Sequence, residues 1–131
     1  MARYGYMLLD LTDTDISRQA MQLDGIGDFD RIFVDRRPTV ADQSQSVREQ
    51  RQRLLSVLQT GDVVYAAAAD RFCDNLKDFG KIYQAILDQG AELVLLQENL
   101  DSRSPAGRLA ARIVIAFEQL EFHFQSDRKK A

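Results

Sequence analysis

The order of apolar and polar residues along the chain predicts alternating strands and helices. Short apolar runs, rich in β-branched or aromatic side chains and bounded by glycine or polar residues, are typical of buried strands. Such runs occupy residues 3–9, 29–34, 62–69 and 91–96. Helical periodicity lies between them and predicts helices from Thr12 to about Gly25, over 46–60, over 75–89 and from 106 to about 128. Residues 36–45, which contain Pro38 and small polar side chains, are predicted to form a loop.

Helical connections of this length imply parallel strands, because a parallel strand pair needs a long crossover. The predicted fold is therefore an α/β three-layer sandwich with a mostly parallel sheet of four to five strands and helices on both faces. Internal repeats and low-complexity tracts are absent, so residues 1–131 are predicted to form a single domain. The inner helix faces are predicted to carry Val47, Leu54, Leu55 and Leu58, and then Leu76, Phe79, Ile82, Tyr83 and Ile86.

The last helix is too apolar for a helix that covers only one face of a small sheet. Between Leu109 and Phe117 only Arg112 is polar, whereas such a helix needs one apolar stripe. Either the helix is buried in a larger core, or its second side packs on a second copy of the same helix. We expect the second arrangement, a homodimer, because a chain of 131 residues has little protein with which to cover both sides. The predicted interface consists of Leu109, Ile113, Phe117, Leu120 and Phe124.

Composition and charge indicate the class of protein, its compartment and its affinity for DNA. Apolar residues make up 45% and charged residues 28% of the chain, which is ordinary for a globular domain. No apolar run approaches the roughly 20 residues that span a bilayer, and the first residues lack a secretory signal, so no membrane contact is expected. The single cysteine, Cys73, favours a reducing cytoplasm. The net charge of −3 argues against strong DNA binding by this chain alone.

Acidic residues follow the predicted strands. Asp10, Asp35, Asp70 and Glu98 stand where each strand ends, and the carboxyl ends of parallel strands meet at one edge of a sheet. Carboxylates there can bind Mg²⁺ for phosphoryl chemistry. Alternatively, they cap helices by accepting hydrogen bonds from free N–H groups. The chain has no glycine-rich phosphate loop after the first strand, and His123 is its sole histidine, so no cofactor and no His/Cys metal site are expected.

The order of several short motifs resembles serine recombinases of the resolvase/invertase type, which include DNA invertases. These motifs are Arg3-Tyr4-Gly5-Tyr6, Arg18-Gln19, Asp30-Arg31-Ile32-Phe33 with Asp35, Gly61-Asp62-Val63-Val64, Asp70-Arg71 and the turn 100–109. Each is weak alone, but together they cover residues 3 to 128 in the expected order. The resemblance implies a catalytic-type domain with a long C-terminal dimerisation helix, as found in enzymes that act on mobile elements.

The family chemistry requires a serine at the end of the first strand. That serine attacks a DNA phosphodiester and forms a phosphoserine link, while arginines neutralise the charge that develops on phosphorus. The positions that match this active-site pattern are Tyr6, Gln19, Arg48, Asp70, Arg71 and Arg128. Arg48 and Arg71 are either retained for phosphate binding or paired with the neighbouring carboxylates.

The departures from the family pattern lie at the reacting positions. Asp10 stands at the nucleophile position, Leu8 replaces an arginine, and Asp74 replaces the second arginine of the Asp-Arg-x-x-Arg pattern. The expected Ser-Gly pair after Asp35 reads Pro38-Thr39, and Phe122 replaces an arginine after Glu121. These substitutions add negative charge and remove positive charge where the family binds phosphate. Set against the family pattern, the sequence therefore predicts a pseudoenzyme that lacks recombination chemistry.

Three functions remain open from the sequence. The leading expectation is an inactive recombinase-like module that pairs with itself or with a related recombinase through the last helix. No helix-turn-helix reader follows in the chain, which ends at Ala131. The second is a Mg²⁺-dependent nuclease or phosphotransferase that uses Asp10, Asp35 and Asp70. The third is a recombinase with another nucleophile, Thr12 or Ser17.

Overall fold

Five strands form one sheet in the computed structural model, which describes residues 1–9, 13–37 and 48–130, with the backbone alone at 13–14 and 127–130. The strands are β1 (Arg3–Leu9), β2 (Arg31–Arg36), β3 (Val63–Ala66), β4 (Glu92–Leu95) and β5 (Leu100–Asp101). Their order across the sheet is β2-β1-β3-β4-β5. The first four are parallel, and only β5 is antiparallel to its neighbour. The helices of the described residues are α1 (Asp13–Asp24), α2 (Glu49–Val57), α3 (Ala69–Phe72), α4 (Leu76–Asp88) and α5 (Pro105–Lys130).

Helices cover both faces of the sheet, which confirms the predicted α/β sandwich. The larger core lies between the sheet and α2, α4 and α5, and includes Tyr6, Phe33, Leu54, Ile86 and Leu93. On the opposite face α1 packs on β1 and β3, where Leu23 meets Tyr65 and Val94. The central strand β3 is short and buried on both sides, as a continuous apolar run predicts.

Several element boundaries differ from the prediction. The third strand stops at Ala66, and residues 69–72 form the short helix α3 instead of its end. The helix α2 ends at Val57 because Leu58 is extended, with ψ 138°. Leu58 nevertheless remains buried, so apolar spacing alone overestimated the length of α2. The strand β5 lies in a segment that was predicted to be a turn.

Two positions refine the packing of α4 and α5. The prediction that Leu76 faces the core is wrong, because this first residue of α4 is 50% exposed. Gly107 allows α5 to lie against β5, since a Cβ at this position would stand 1.9 Å from the carbonyl oxygen of Asp101.

The predicted loop at 36–45 lies outside the described residues from 38 onward, as do Ser46 and Val47. Within the part of the chain that the structure describes, no helix is long and apolar enough to cross a membrane.

Candidate functional site

A buried polar network lies at the carboxyl ends of β1 and β2. The Tyr6 hydroxyl donates a hydrogen bond to Oδ2 of Asp35 (2.8 Å), and the Arg48 guanidinium donates one from Nη1 to the same hydroxyl oxygen (3.0 Å). All three residues are buried. Burial raises the pKa of Tyr6, although the hydrogen bond from Arg48 opposes this shift. The phenol is therefore neutral at ordinary pH and acts as both donor and acceptor.

Asp35 also caps the helix α2. The helix begins after Arg48, whose side chain does not cap it. Instead, the two carboxylate oxygens of Asp35 accept hydrogen bonds from the backbone N–H groups of Gln50 (2.8 Å) and Arg51 (2.9 Å). A carboxylate suits this place because the first N–H groups of a helix have no intrahelical partner. Asp35 thereby fixes β2, α2 and Tyr6 relative to one another.

Arg48 is a buried cation that is paired with Asp74. Its Nε and Nη2 both donate to Oδ1 of Asp74, at 3.2 and 2.7 Å, and its Nη1 also donates to the carbonyl oxygen of Arg71 (2.8 Å). Burial alone would lower the pKa of Arg48, but its hydrogen bonds with Asp74 and Tyr6 outweigh burial and raise it. The guanidinium therefore stays charged, and that charge is compensated within the chain.

A second hydrogen-bond network fixes the C-terminal end of β1. The Gln19 side chain accepts from the backbone N–H of Leu8 (3.1 Å) and donates to the carbonyl oxygen of Leu8 (2.7 Å). It also donates to Oδ2 of Asp15 (2.9 Å), whose other oxygen accepts two hydrogen bonds from Arg71, at 3.0 and 2.7 Å. The amide of Gln19 thus replaces a neighbouring strand at the point where β1 extends beyond β3. It holds the backbone that leads to position 10.

The structure brings four of the predicted site residues together. Tyr6 and Arg48 are in direct contact, while Gln19 and Arg71 are joined through Asp15. Asp70 lies at the margin: its side chain is 73% exposed, and its carboxylate is 3.8 Å from Arg71. Two further predicted positions are not described, namely Asp10 and the side chain of Arg128.

Two of the carboxylates at the strand ends, Asp35 and Glu98, cap helices. Asp35 caps α2, and Oε1 of Glu98 accepts from the backbone N–H of Ala69 at the start of α3 (2.9 Å). Among the described residues there is no group of three or more acidic, histidine or cysteine side chains placed to hold a metal ion. This geometry favours the capping interpretation for Asp35 and Glu98 over magnesium binding.

Sequence reasoning missed two carboxylates that organise the site. Asp15 lies four residues before Gln19 on α1, a spacing that brings side chains together on a helix and could have indicated the pair. Asp78 accepts from both Nη atoms of the buried Arg51, at 2.8 and 3.3 Å. Burial would raise the pKa of Asp78, but the hydrogen bonds from Arg51 and from the backbone of Asp74 lower it overall. Burial raises the pKa of the nearby Cys73 thiol to about 12, which fits a packing role.

The helix α5 has two different sides. Ala111 is fully buried, and Val114 and Ile115 pack against the core. The five residues of the predicted interface form one stripe on the opposite side, and all are exposed: Leu109, Ile113, Phe117, Leu120 and Phe124. Together with Leu76 of α4, three of these residues, Phe117, Leu120 and Phe124, border a groove of about 350 Å³. We call these five residues the α5 stripe.

Two solved structures, of an integrase catalytic domain and of a resolvase family recombinase, share this fold. The N-terminal catalytic domain of TP901-1 integrase superposes with a TM-score of 0.77 at 18% identity, over 93% of this chain and 97% of that one. A resolvase family site-specific recombinase from Streptococcus pneumoniae gives a TM-score of 0.75 at 15% identity, over 98% and 92% of the two chains. At these identities the likeness establishes the fold alone.

Sequence comparison then establishes the family. Residues 9–131 match the model of the resolvase N-terminal domain, and the chain belongs to this family. The Transposon Tn21 resolvase of Escherichia coli is 30% identical over 122 residues, which are 91% of this chain and 61% of the relative. The chain thus spans less than two thirds of the length of the curated relatives that it matches.

Proposed function

We propose that this chain is a resolvase-type module of a site-specific DNA recombination system that works by association and does not cut DNA itself. Its relatives include transposon resolvases, so a mobile element is the setting that we infer. Partners are a second copy or a related recombinase, and the single cysteine is consistent with the cytoplasm. Contact with DNA is weak for this chain, because its net charge is −3.

The ion pair between Arg48 and Asp74 is the observation that carries the proposal. The family pattern has an arginine where Asp74 stands, so the change replaces a cation by an anion. Asp74 then binds Arg48, one of the cations that the family uses near phosphate, at 2.7 Å. Arg71 is likewise paired with Asp15 at 2.7 Å. Both cations are thus compensated by carboxylates of the same chain.

Simple charge arithmetic indicates the size of the effect. A carboxylate about 4 Å from a phosphate oxygen costs about 1 to 4 kcal/mol, depending on the effective dielectric constant. Asp10 and Asp74 both add such a charge, and Leu8 and Asp74 each replace a guanidinium. Loss of one preorganised donor typically lowers a rate by about 10²- to 10³-fold. An acyl phosphate on Asp10 would also be open to hydrolysis, which would defeat strand rejoining.

Restoring the family residues tests whether charge alone silences the site. We expect nicking of supercoiled plasmid by a variant that combines Leu8→Arg, Asp10→Ser and Asp74→Arg, and none by the native chain. Leu8 is buried in the core, so Leu8→Arg threatens folding, and the double variant at 10 and 74 is measured beside it. Far-UV circular dichroism checks that each variant folds. Nicking by the native chain would contradict the proposal, and silence of two folded restored variants would contradict the charge explanation.

Association is proposed through the α5 stripe. Its side chains are 46 to 65% exposed, with Phe117 the most exposed of them. A symmetric pair would cover roughly 500 Å² of apolar surface on each chain, or about 1,000 Å² in total, which is the lower limit for a biological interface. A helix that packs on the domain with one side and leaves such a stripe on the other suits a two-fold contact.

Light scattering coupled to size exclusion tests the stripe. We expect a dimer at tens of micromolar for the native chain and a monomer for Phe117→Glu, because a carboxylate would be buried in the contact. Phe122→Glu is the matched control: Phe122 is 59% exposed but lies about 180° around the helix from the centre of the stripe. A native monomer, or equal loss of dimer in both variants, would contradict the assignment.

A further inference from the structure

Among the described residues the strand β2 forms one edge of the sheet, and the apolar side chains on one of its faces are partly exposed. It pairs with β1 on one side, and no described strand lies on the other. The helix α1 packs mainly on β1 and β3. On that face Ile32 and Val34 remain 43% and 39% exposed, and Ile32 lies over Gly5, within 3.2 Å of where a Cβ would stand. Open, apolar edge strands are sites at which another strand can pair.

The backbone of β2 is oriented for such pairing. Val63 N donates to the carbonyl oxygen of Ala2, and Arg37 N donates to that of Leu9. Even-numbered residues of β1 therefore direct their backbone groups toward β3, and odd-numbered residues direct theirs toward β2. Combined with the register in which Gly5 is opposite Ile32, this leaves the N–H and C=O groups of Ile32 and Val34 pointing to the open edge.

Residues 30–36 at this edge are complementary in charge to a second copy of themselves that runs in the opposite direction. Residues 30–36 read Asp-Arg-Ile-Phe-Val-Asp-Arg. In an antiparallel pair of two copies centred on Phe33, Asp30 is opposite Arg36, Arg31 is opposite Asp35, and Ile32 is opposite Val34. The Asp35 carboxylate is buried and bound within its own chain, so the charge complementarity across the contact comes from Asp30 and Arg36. Opposite charges and β-branched pairs across antiparallel strands are stabilising.

A shift of one residue from this register satisfies neither charge nor backbone. A shift by one residue would place Arg31 opposite Arg36, or Asp30 opposite Asp35, which are like-charge pairs. It would also place an outward-facing backbone opposite an inward-facing one. On the face toward α2, the Arg31 guanidinium lies 4.3 Å from the centre of the Phe33 ring.

We propose that β2 is a second self-association surface, at which two copies pair antiparallel about Phe33 and extend the sheet across the contact. The surface is separate from the α5 stripe, so one protomer can take part in two different two-fold contacts. Pairs joined through α5 would then assemble further through β2. One short strand covers little area, so the contact is weak and is best detected by covalent trapping.

Cysteine trapping tests the register. In the proposed pair, Ile32 and Val34 of the two copies form a hydrogen-bonded pair with Cα atoms about 5.5 Å apart, within disulfide reach, whereas like positions are about 8 Å apart and beyond it. We expect a disulfide-linked dimer when Ile32→Cys and Val34→Cys chains are mixed under mild oxidation, and little when either is alone. The native Cys73 is buried and does not compete. Equal linking in all three samples, or none in the mixture, would overturn the proposal.

Charge exchange tests the same register while the two cysteine positions stay fixed. Adding Arg36→Asp to both chains makes two like-charge pairs, and we expect linking to slow by about tenfold. Arg36→Asp in the Ile32→Cys chain, mixed with Asp30→Arg in the Val34→Cys chain, restores both opposite-charge pairs and should restore the rate. Failure of this rescue in folded chains would overturn the register. Linking that persists in a Phe117→Glu background shows that β2 pairs independently of α5, and loss of linking there would refute a separate surface.

Discussion

Removing the charge of Asp74 should destabilise the domain, because Asp74 compensates a buried cation. Asp74→Asn keeps the shape of the side chain and one acceptor oxygen but removes the anion beside Arg48. Arg48 is 5% exposed and Asp74 50% exposed as side chains, and their closest approach is 2.7 Å. A hydrogen bond to a charged group contributes about 1.5 to 3 kcal/mol. Solvent screening at the half-exposed carboxylate reduces this, so we expect a loss of about 1 to 2 kcal/mol.

Urea unfolding followed by circular dichroism measures this loss. The midpoint should fall while the slope with denaturant stays unchanged, since the surface exposed on unfolding is the same. Asp70→Asn is the matched control: Asp70 is 73% exposed and lies 3.8 Å from Arg71, so its loss should stay within about 0.5 kcal/mol. If Asp74→Asn costs no more than Asp70→Asn, Asp74 does not hold Arg48 in the way described, and the proposal that this chain does not cut DNA loses its main support.

Three further predictions concern the same region. Tyr6→Phe should cost about 1 to 2 kcal/mol in urea unfolding, because its buried hydroxyl bridges two charged groups, whereas Tyr4→Phe should be neutral; equal effects would contradict the bridge. Cys73 should resist iodoacetamide at pH 8 in the folded protein and react on unfolding, because burial raises its pKa to about 12; rapid native labelling would contradict this. The lowered pKa of Asp78 stabilises the fold above the unfolded value of 3.8, and this stabilisation is lost as pH falls through the lower folded value. Asp78→Asn should therefore flatten the acid limb of a thermal melting profile, and an unchanged limb would refute the role of its pair with Arg51.

The sequence predicted the fold well where apolar periodicity is long and regular. The run at 3–9 corresponds to β1, and the 75–89 pattern to α4, which Asn75 caps by accepting from the backbone N–H of Asp78. Prediction failed where tertiary contacts decide. The strand β5 has two residues, too few for any period to show. Leu76 is apolar at a helical position but lies at the open first turn of α4.

The site was predicted less completely because its residues act through backbone groups and carboxylates. Resemblance gave Gln19 as a site residue, but nothing in the sequence indicates that it binds both backbone groups of Leu8. The alternatives for Arg48 and Arg71 could not be separated by spacing. The structure pairs Arg48 with Asp74 and Arg71 with Asp15. In each pair the two residues are far apart in the sequence. Such pairing depends on tertiary placement and carries no local signal.

Covalent trapping on DNA tests the central claim most directly. The native chain is incubated with supercoiled plasmid, quenched with detergent and examined for protein attached to DNA, with the folded restored variants as the positive control. We predict no adduct and no nicks from the native chain, and an adduct at position 10 in the restored one. An adduct formed by the native chain, at Asp10 or at another side chain, would contradict the account.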